Sequence, residues 1–383
     1  MRGSGARQRY LQHTRRAEHV VMTIGDGASY APEGEARPVV EAGEFRFAVA
    51  HLDHGHIYGQ ANGLIEAGGT MVAAFDADRD RLATFIDRFP LAKPASSFEE
   101  LLDDPTLQLI ASAAIPSERS AIGNHVMQAG KDYFTDKSPF TTLEQLQETR
   151  QVQQATGRRY FVYYAERVHN EAAWHAGELI KAGAVGDVLQ VLNIAPHRLS
   201  ATSRPGWFFD KSCYGGILTD IGSHQVEQFL TYGECGDAEV SFAQVTNHAY
   251  PEYPELEDFG EFALTGDNGV SFYSRVDWFT PDGSEVWGDG RTFVTGTDGS
   301  MEVRKYVDPN RAVPAAKIFL TDRDGLREID CLGRVGYPFF GQLILDSLNG
   351  TEQAMSQAHI FKAAELSMQA QMVADEFNKE HKS

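Results

Sequence analysis

The chain has 383 residues, 42% of them hydrophobic and 23% charged, a composition ordinary for a globular protein with room for two full cores. A net charge of −20 repels polyanions and so argues against nucleic acid or anionic membrane surfaces as partners. No apolar run approaches the roughly 18–20 residues that a bilayer span requires. The cysteines, Cys213, Cys235 and Cys331, show no C-x-x-C spacing, which argues against structural zinc and for a reducing, cytoplasmic setting.

Residues 1–44 read as an N-terminal extension. Met1–Val21 carries Arg2, Arg7, Arg9, Arg15 and Arg16 against Glu18 alone, with no apolar segment behind them. That is no secretory signal. It has either the composition of a transit peptide or the character of an upstream start, with Met22 as the working one; disorder is expected in both cases. Thr23–Glu44 is rich in Gly, Pro and acid and reads as an extended arm lying over the first domain or a neighbouring subunit.

From Phe45 the texture alternates. FRFAVA (45–50) is a short apolar run typical of a buried parallel strand. Ile57, Ala61, Leu64 and Ile65 fit a helix that stops at Gly68-Gly69. Strands then follow at 71–75, 107–115, 132–135 and 159–164. Helices lie between them at 80–89, 120–129 and 142–156, with Ser97–Leu102 carrying a capping signal and Gly157 closing the last helix. Strands alternating with helices predict a doubly wound parallel sheet, a dinucleotide-binding Rossmann domain over 45–167.

Beyond Arg167 the pattern changes. A helix (172–182) and a strand (188–195) precede the stretch YGGILTDIGSHQVEQ (214–228), read as an amphipathic helix. Strands at 240–246 and 262–265 and the turns GDNG (266–269), TDGS (297–300) and RDG (323–325) follow. Gly-containing turns between alternating segments signal hairpins. The second unit, 168–383, is therefore expected to be a mostly antiparallel open sheet with helices on one face, closed by helices at 339–349 and 358–377. The acidic loop Tyr250–Asp258 reads as a solvated edge.

In the 214–228 stretch Asp220 and His224 are four residues apart, on one face of a helix. A carboxylate stacked on an imidazole fixes its tautomer and raises its basicity, as a general base requires; a capping Asp with an unrelated His would give the same letters. GGILTDIGSH resembles the G-G-x-x-x-D-x-G-x-H signature of the glucose–fructose oxidoreductase / inositol dehydrogenase / rhizopine-catabolism family of nicotinamide-dependent enzymes. GKDYFTDKSPFTTLEQL (130–146) resembles that family's G-K-x-x-x-x-E-K-P block, with the acid shortened to Asp136, Lys137 kept and Ser138 standing at the proline. The resemblance runs from about Phe45 to about Phe377. It implies that Lys137, Asp220 and His224 converge on the reacting carbon. His224 then takes a hydroxyl proton, Asp220 orients His224, and Lys137 polarises the oxygen. It further implies a homodimer or homotetramer assembled through the open face of the second sheet.

Where a Rossmann unit has G-x-G-x-x-G, this chain reads His51-Leu52-Asp53-His54-Gly55-His56. Both leading glycines are missing, Asp53 adds charge beside an anion, and only Gly55 and Gly59 offer room in a shifted register. Three readings compete: an altered pyrophosphate cradle, a metal site of His51, Asp53, His54 and His56, and a loop that has lost its cofactor. Asp76, about 20 residues on at the end of a strand, supports the first, because an acid there receives the ribose hydroxyls and disfavours a 2′-phosphate. NAD is thus expected over NADP, with Arg79 as the counter-argument, and no metal is expected. Ala114 and Pro116 fall where the family lines the nicotinamide-side channel; Glu118 and Arg119 stand where members often carry a His.

For the substrate, the loop PHRLSATSRPGWFFDKSCYGG (196–216) offers His197, Arg198, Arg204, Trp207 and Tyr214, a mixture of aromatic faces and donors suited to a sugar ring. Arg167, beside Tyr163, Tyr164 and Glu166 at a strand end, is a further expected contact. The function read from the sequence is hydride transfer between a nicotinamide and a sugar, cyclic polyol or glycoside. The alternatives are a redox-neutral, NAD-using glycoside-cleaving enzyme and a ligand sensor on the same fold.

Overall fold

The computed structural model describes residues 27–34, 37–310 and 314–381; the expectations for Met1–Val21 lie outside them. The first sheet contains β1 (Arg46–Ala50), β2 (Thr70–Phe75), β3 (Lys93–Pro94), β4 (Leu109–Ser112), β5 (Asp132–Asp136) and β6 (Tyr160–Tyr163). Its order is β3-β2-β1-β4-β5-β6, all parallel. The chain reverses direction of travel between β1 and β4, so a crevice opens beyond their carboxyl ends, where such folds bind ligands. Crossovers are made by α1 (His56–Glu66), α2 (Arg79–Arg88), α3 (Phe98–Asp103), α4 (Arg119–Gln128) and α5 (Leu143–Thr156). Local chemistry fixes their ends: Ser97 caps α3, and Thr142 with Gln145 forms a capping box on α5, which Gly157 closes in the left-handed conformation at φ 66°.

Two helices lead on, α6 (Ala165–Val168) and α7 (Glu171–Lys181). The second sheet has eight strands: β7 (Val188–Pro196), β8 (Ala238–Thr246), β9 (Phe259–Gly266), β10 (Ser271–Asp277), β11 (Arg291–Gly296), β12 (Gly299–Arg304), β13 (Lys317–Asp322) and β14 (Gly325–Asp330). They lie in the order β14-β13-β12-β11-β7-β10-β9-β8. The three predicted hairpins are β9/β10, β11/β12 and β13/β14. One pair departs from the antiparallel pattern: β7 runs parallel to β10, because the chain makes a long excursion before returning beside β7.

That excursion carries α8 (Lys211–Tyr214) and α9 (Ile217–Tyr232). Nearly every residue of α9 is buried, as expected for a helix covered on all sides. Gly215 and Gly216 enter it at φ 87° and 97°, and a Cβ on Gly216 would lie 2.3 Å from the Gln371 amide. The free amides at its start are taken by two side chains: Ile217 N–H donates to Glu257 Oε2 at 2.8 Å, and Leu218 N–H to Gln371 Oε1 at 3.0 Å. The expectation of a solvated edge at Tyr250–Asp258 therefore fails for its second half. Leu256, Glu257 and Asp258 are buried, and Asp258 accepts the amides of His248 and Ala249. Glu257 and Asp258 cap backbone amides rather than face water. Gln371 comes from the closing helix α11 (Gln357–His381), which follows α10 (Pro338–Asn349).

The N-terminal arm crosses both units. Tyr30 donates to the His169 carbonyl at 2.7 Å and packs edge-on against Trp287 and Tyr306. Gly34 N–H reaches Glu66 at the end of α1, and Val39 N–H reaches the Ala67 carbonyl. The arm thus runs along α1 from its first turn to its last.

Candidate active site

A cavity between the two sheets is lined by Lys137, Pro116 and Glu166 from the first unit, by His197, Arg204, Trp207, Tyr214, Asp220 and His224 from the second, and by Gly27 and Ala28 of the arm. Lys137 follows β5, and its peptide bond to Ser138 is cis. Its ammonium forms a buried ion pair with Asp220. Burial would raise the Asp220 carboxyl, but the Lys137 charge outweighs it and holds the group below its usual range.

His224, one turn along α9, does not lean on Asp220 as the sequence spacing suggested. The Asp220 carboxylate is engaged by Lys137, while His224 Nδ1 is buried without a hydrogen-bond partner among the described residues. Burial pushes His224 down to about 3, so the imidazole is neutral. The anion whose field acts most strongly on it is Glu166. Glu166 is buried, accepts from Lys305 at 2.8 Å and Gln225 at 2.9 Å, and lies 3.4 Å from His197 Nε2. Burial opposes its charge, and Lys305 more than restores it. His197 is itself pushed down to about 4 by burial. Lys305 escaped the sequence reading because no motif surrounds it; it was legible only as an isolated lysine at the end of a strand.

The substrate-side expectations divide. His197, Trp207 and Tyr214 line the cavity, and Arg204 joins them, stacked over Phe208 and Trp278. Tyr214 is anchored, its hydroxyl donating to the Glu255 carbonyl and accepting from Glu257 N–H. Arg167 does not line the cavity: its guanidinium grips the buried Glu227 carboxylate and lies over Trp174. Nor does Arg198, which reaches into the loop between β10 and β11 and donates to the carbonyls of Pro281, Ser284 and Val286. Arg167 meets a buried carboxylate and Arg198 a set of loop carbonyls, partners that a linear sequence does not reveal.

In the loop after β1, His51 has φ 57°, so the chain makes the left-handed turn that glycine usually makes there. Its ring sits between Phe75 and Phe98, and burial lowers its basicity, so it supplies no cationic counter-charge. Arg81 does that instead, 2.9 Å from Asp53 and 3.1 Å from Asp76; Arg79, singled out from sequence, is not the arginine that reaches the acids. Burial still raises the Asp53 carboxyl despite Arg81. Asp76 accepts Leu52 N–H at 2.6 Å on one oxygen and Asp78 N–H at 2.7 Å on the other, so it braces the loop as well as ending β2. Ala114 is buried and its carbonyl accepts from Arg119.

Gly55 and Gly59 do provide room, but the arm fills it. A Cβ on Gly55 would meet the Ala28 carbonyl oxygen at 2.3 Å, and one on Gly59 the Tyr163 hydroxyl at 2.5 Å and the Tyr30 carbonyl at 3.1 Å. His56 Nε2 lies 2.8 Å from the Gly27 carbonyl, and its Nδ1 2.9 Å from Asp136 Oδ1. His54 Nδ1 stands 3.2 Å from Asp136 Oδ2, and burial pushes His54 down to about 3. Burial would raise Asp136, but His56 and Arg119 hold it well below the carboxylate range.

Residues 45–164 match an oxidoreductase family with an NAD-binding Rossmann fold, and residues 174–302 match the GFO/IDH/MocA C-terminal domain. A protein of Erwinia carotovora atroseptica SCRI1043, described as an oxidoreductase, has a solved structure 45% identical in sequence with a TM-score of 0.83; the alignment covers 86% of this chain and 99% of that one. A levoglucosan dehydrogenase solved with NADH and levoglucosan shares the fold at 17% identity and a TM-score of 0.71, covering 87% of this chain and 97% of that one. The D-xylose dehydrogenase of Paenarthrobacter nicotinovorans is 24% identical over 233 residues, 60% of this chain and 56% of that protein.

Proposed function

The chain belongs to the GFO/IDH/MocA oxidoreductase family, and on that premise we propose that it moves a hydride between NAD and a hydroxyl-bearing carbon of a sugar, cyclic polyol or glycoside. The observation that carries this reading is the meeting of Lys137, Asp220 and His224 in one buried cavity between the two sheets.

The residues present fit a dinucleotide except at Gly55, where the Ala28 carbonyl of the arm closes the approach. The loop after β1 keeps its left-handed turn at His51, Asp53 is neutralised by Arg81, and the crevice lies where the strand order reverses. The loop backbone from His51 to His54, Asp76, Pro116 and Lys137 would hold it, and Asp76 favours NAD over a form with a 2′-phosphate. When bound, the nicotinamide supplies the hydride acceptor or donor.

The chain's own residues handle the proton. His224, neutral and buried, accepts the proton of the substrate hydroxyl, and the imidazolium so formed faces the field of Glu166. Lys137 donates to the same oxygen and polarises the developing carbonyl. Asp220 holds the Lys137 ammonium in place. Trp207 offers a face for the ring, with His197 and Arg204 beside it. Names of relatives, D-xylose dehydrogenase and levoglucosan dehydrogenase, support a carbohydrate substrate.

The test is calorimetric titration with NAD(H) and NADP(H), with a denatured sample checked for released nucleotide, followed by hydride transfer to a panel of sugars. Tight NAD binding and NADH formation with one sugar class are expected. Binding of neither nucleotide, with none released, overturns the reading. In His224→Ala, turnover should fall by about 10² or more with NAD affinity unchanged; wild-type turnover would remove His224 from the mechanism.

A further inference from the structure

The histidines that replace the glycine loop meet an acid from another strand. His54, at the turn before α1, His56, at its first position, and Asp136, at the end of β5, place donor atoms within 4.8 Å of one another, and all three side chains are well shielded from solvent.

With both rings neutral this cluster is one proton short. A backbone carbonyl has no proton to give, so the 2.8 Å contact to Gly27 places hydrogen on His56 Nε2. In neutral His56 the other nitrogen, Nδ1, is then a bare lone pair, and it faces Asp136 Oδ1 at 2.9 Å. His54 Nδ1 lies 3.2 Å from Asp136 Oδ2 and 3.3 Å from the His56 backbone N–H, so this one nitrogen stands between an acceptor and a donor. A proton on His56 offsets the charge of Asp136, and so does a cation shared by the three groups, which in addition uses the lone pair of His54.

We propose that His54, His56 and Asp136 form a binding site for a divalent transition-metal ion, opening on the cavity that holds Lys137 and Asp220. Metal bonds of about 2.1 Å set cis donor–donor separations of about 3.0–3.4 Å; the His54 contact to Asp136, 3.2 Å, lies in that range and the His56 contact, 2.9 Å, just short of it. The outer nitrogen of His56 donates to a backbone carbonyl, the arrangement that orients a metal-bound imidazole. Asp136 is itself fixed by the Lys137 amide at 2.8 Å and by Arg119 at 3.2 Å. Two imidazoles and one carboxylate are a borderline set, suited to Zn²⁺, Fe²⁺ or Mn²⁺ rather than to Ca²⁺. The residues differ from the grouping considered from sequence. His51 lies among phenylalanines and Asp53 is tied to Arg81, and the missing ligand comes from a strand 80 residues away.

The experiment uses the full chain purified without chelators. Metal content is measured by plasma mass spectrometry, and stripped protein is titrated with Zn²⁺ and Co²⁺. About one equivalent per chain is expected, with visible Co²⁺ bands showing nitrogen ligation. His54→Gln and His56→Gln should each weaken binding by about tenfold or more, while His197→Gln, in the same cavity, leaves it unchanged. No stoichiometric uptake by the wild type, together with nitrogen NMR showing both ring nitrogens of His56 protonated, overturns the proposal in favour of an imidazolium–carboxylate pair. Uptake undiminished in both loop variants overturns it as well. If a variant does not fold, the wild-type Co²⁺ titration and spectrum decide alone.

Discussion

Glu166 carries two loads at once. It is the partner of the buried Lys305 and the anion nearest in effect to His224. Replacing it by Gln leaves a buried ammonium uncompensated, a loss of about 3–5 kcal/mol. Adding Lys305→Met should recover most of that stability. It should not recover the rate, because the imidazolium of His224 still lacks its counter-ion. Urea melts and turnover across pH for the single and double variants separate the two roles; a double variant with full turnover would reduce Glu166 to a structural anchor. The buried histidines also fix the response to acid. His169, His197 and His224 are kept neutral by burial, His197 down to about 4 and His224 to about 3. In the unfolded chain each takes a proton near pH 6.5. The unfolded state therefore binds more protons below that pH, so stability present at pH 7 is lost as pH falls toward 4, by up to ~1.4 kcal/mol per unit for each histidine. The depressed carboxylates Asp220 and Glu227 lose their contribution only at lower pH. Urea midpoints at neutral and mildly acidic pH check this, and equal midpoints would mean that the histidines are charged in the fold.

Helix α1 shows how an element can be read correctly and its purpose misread. Its periodicity and its Gly68-Gly69 stop were legible, whereas the use of Gly55 and Gly59 was not. Spaced four apart, they clear one side of the helix for the arm backbone at Ala28 and Tyr30. An arm without periodicity gives no sequence signal for where it docks, so the glycines read as room for phosphate. The two substitutions to Ala should therefore behave unlike ordinary helix substitutions. Propensity alone would make Gly59→Ala stabilising by about 0.8–1.0 kcal/mol. The Tyr163 hydroxyl and Tyr30 carbonyl stand in the way, and at Gly55 the obstacle is backbone. We expect Gly55→Ala to lower the melting temperature and to open the segment 27–44 to proteases; an arm as protected as in the wild type would show that its seat lies elsewhere. The arginines were misread for a related reason: their type was legible, while the acceptors that occupy Arg167 and Arg198 come from helix α9 and from the loop before β11.

At the scale of the molecule, alternation of strands and helices followed by hairpin signals was enough to give both sheets, because those signals are local. The parallel pairing of β7 with β10 was not legible, since it joins segments separated by the whole α8–α9 excursion. The convergence of His54 and His56 with Asp136 is non-local in the same way. The outer face of the second sheet carries a cross-strand row of half-buried apolar side chains, Tyr273, Leu192 and Phe293, with Phe319 beyond Glu302. Such a face is suited to a second copy of the chain, and we expect a dimer or tetramer built on it. Leu192→Glu should shift the mass measured by light scattering to that of a monomer while far-ultraviolet circular dichroism stays the same. A wild-type chain that is monomeric at micromolar concentration would rule out this assembly.

The route of the arm also sets an order in time. Tyr30 leaves the ribosome early, but Trp287 and Tyr306, against which it rests, follow more than 250 residues later, on the order of half a minute at usual synthesis rates. The first sheet has its sequence complete well before then. The seat of Tyr30 is therefore assembled in two instalments, the glycine-lined side of α1 first and the two aromatic rings last.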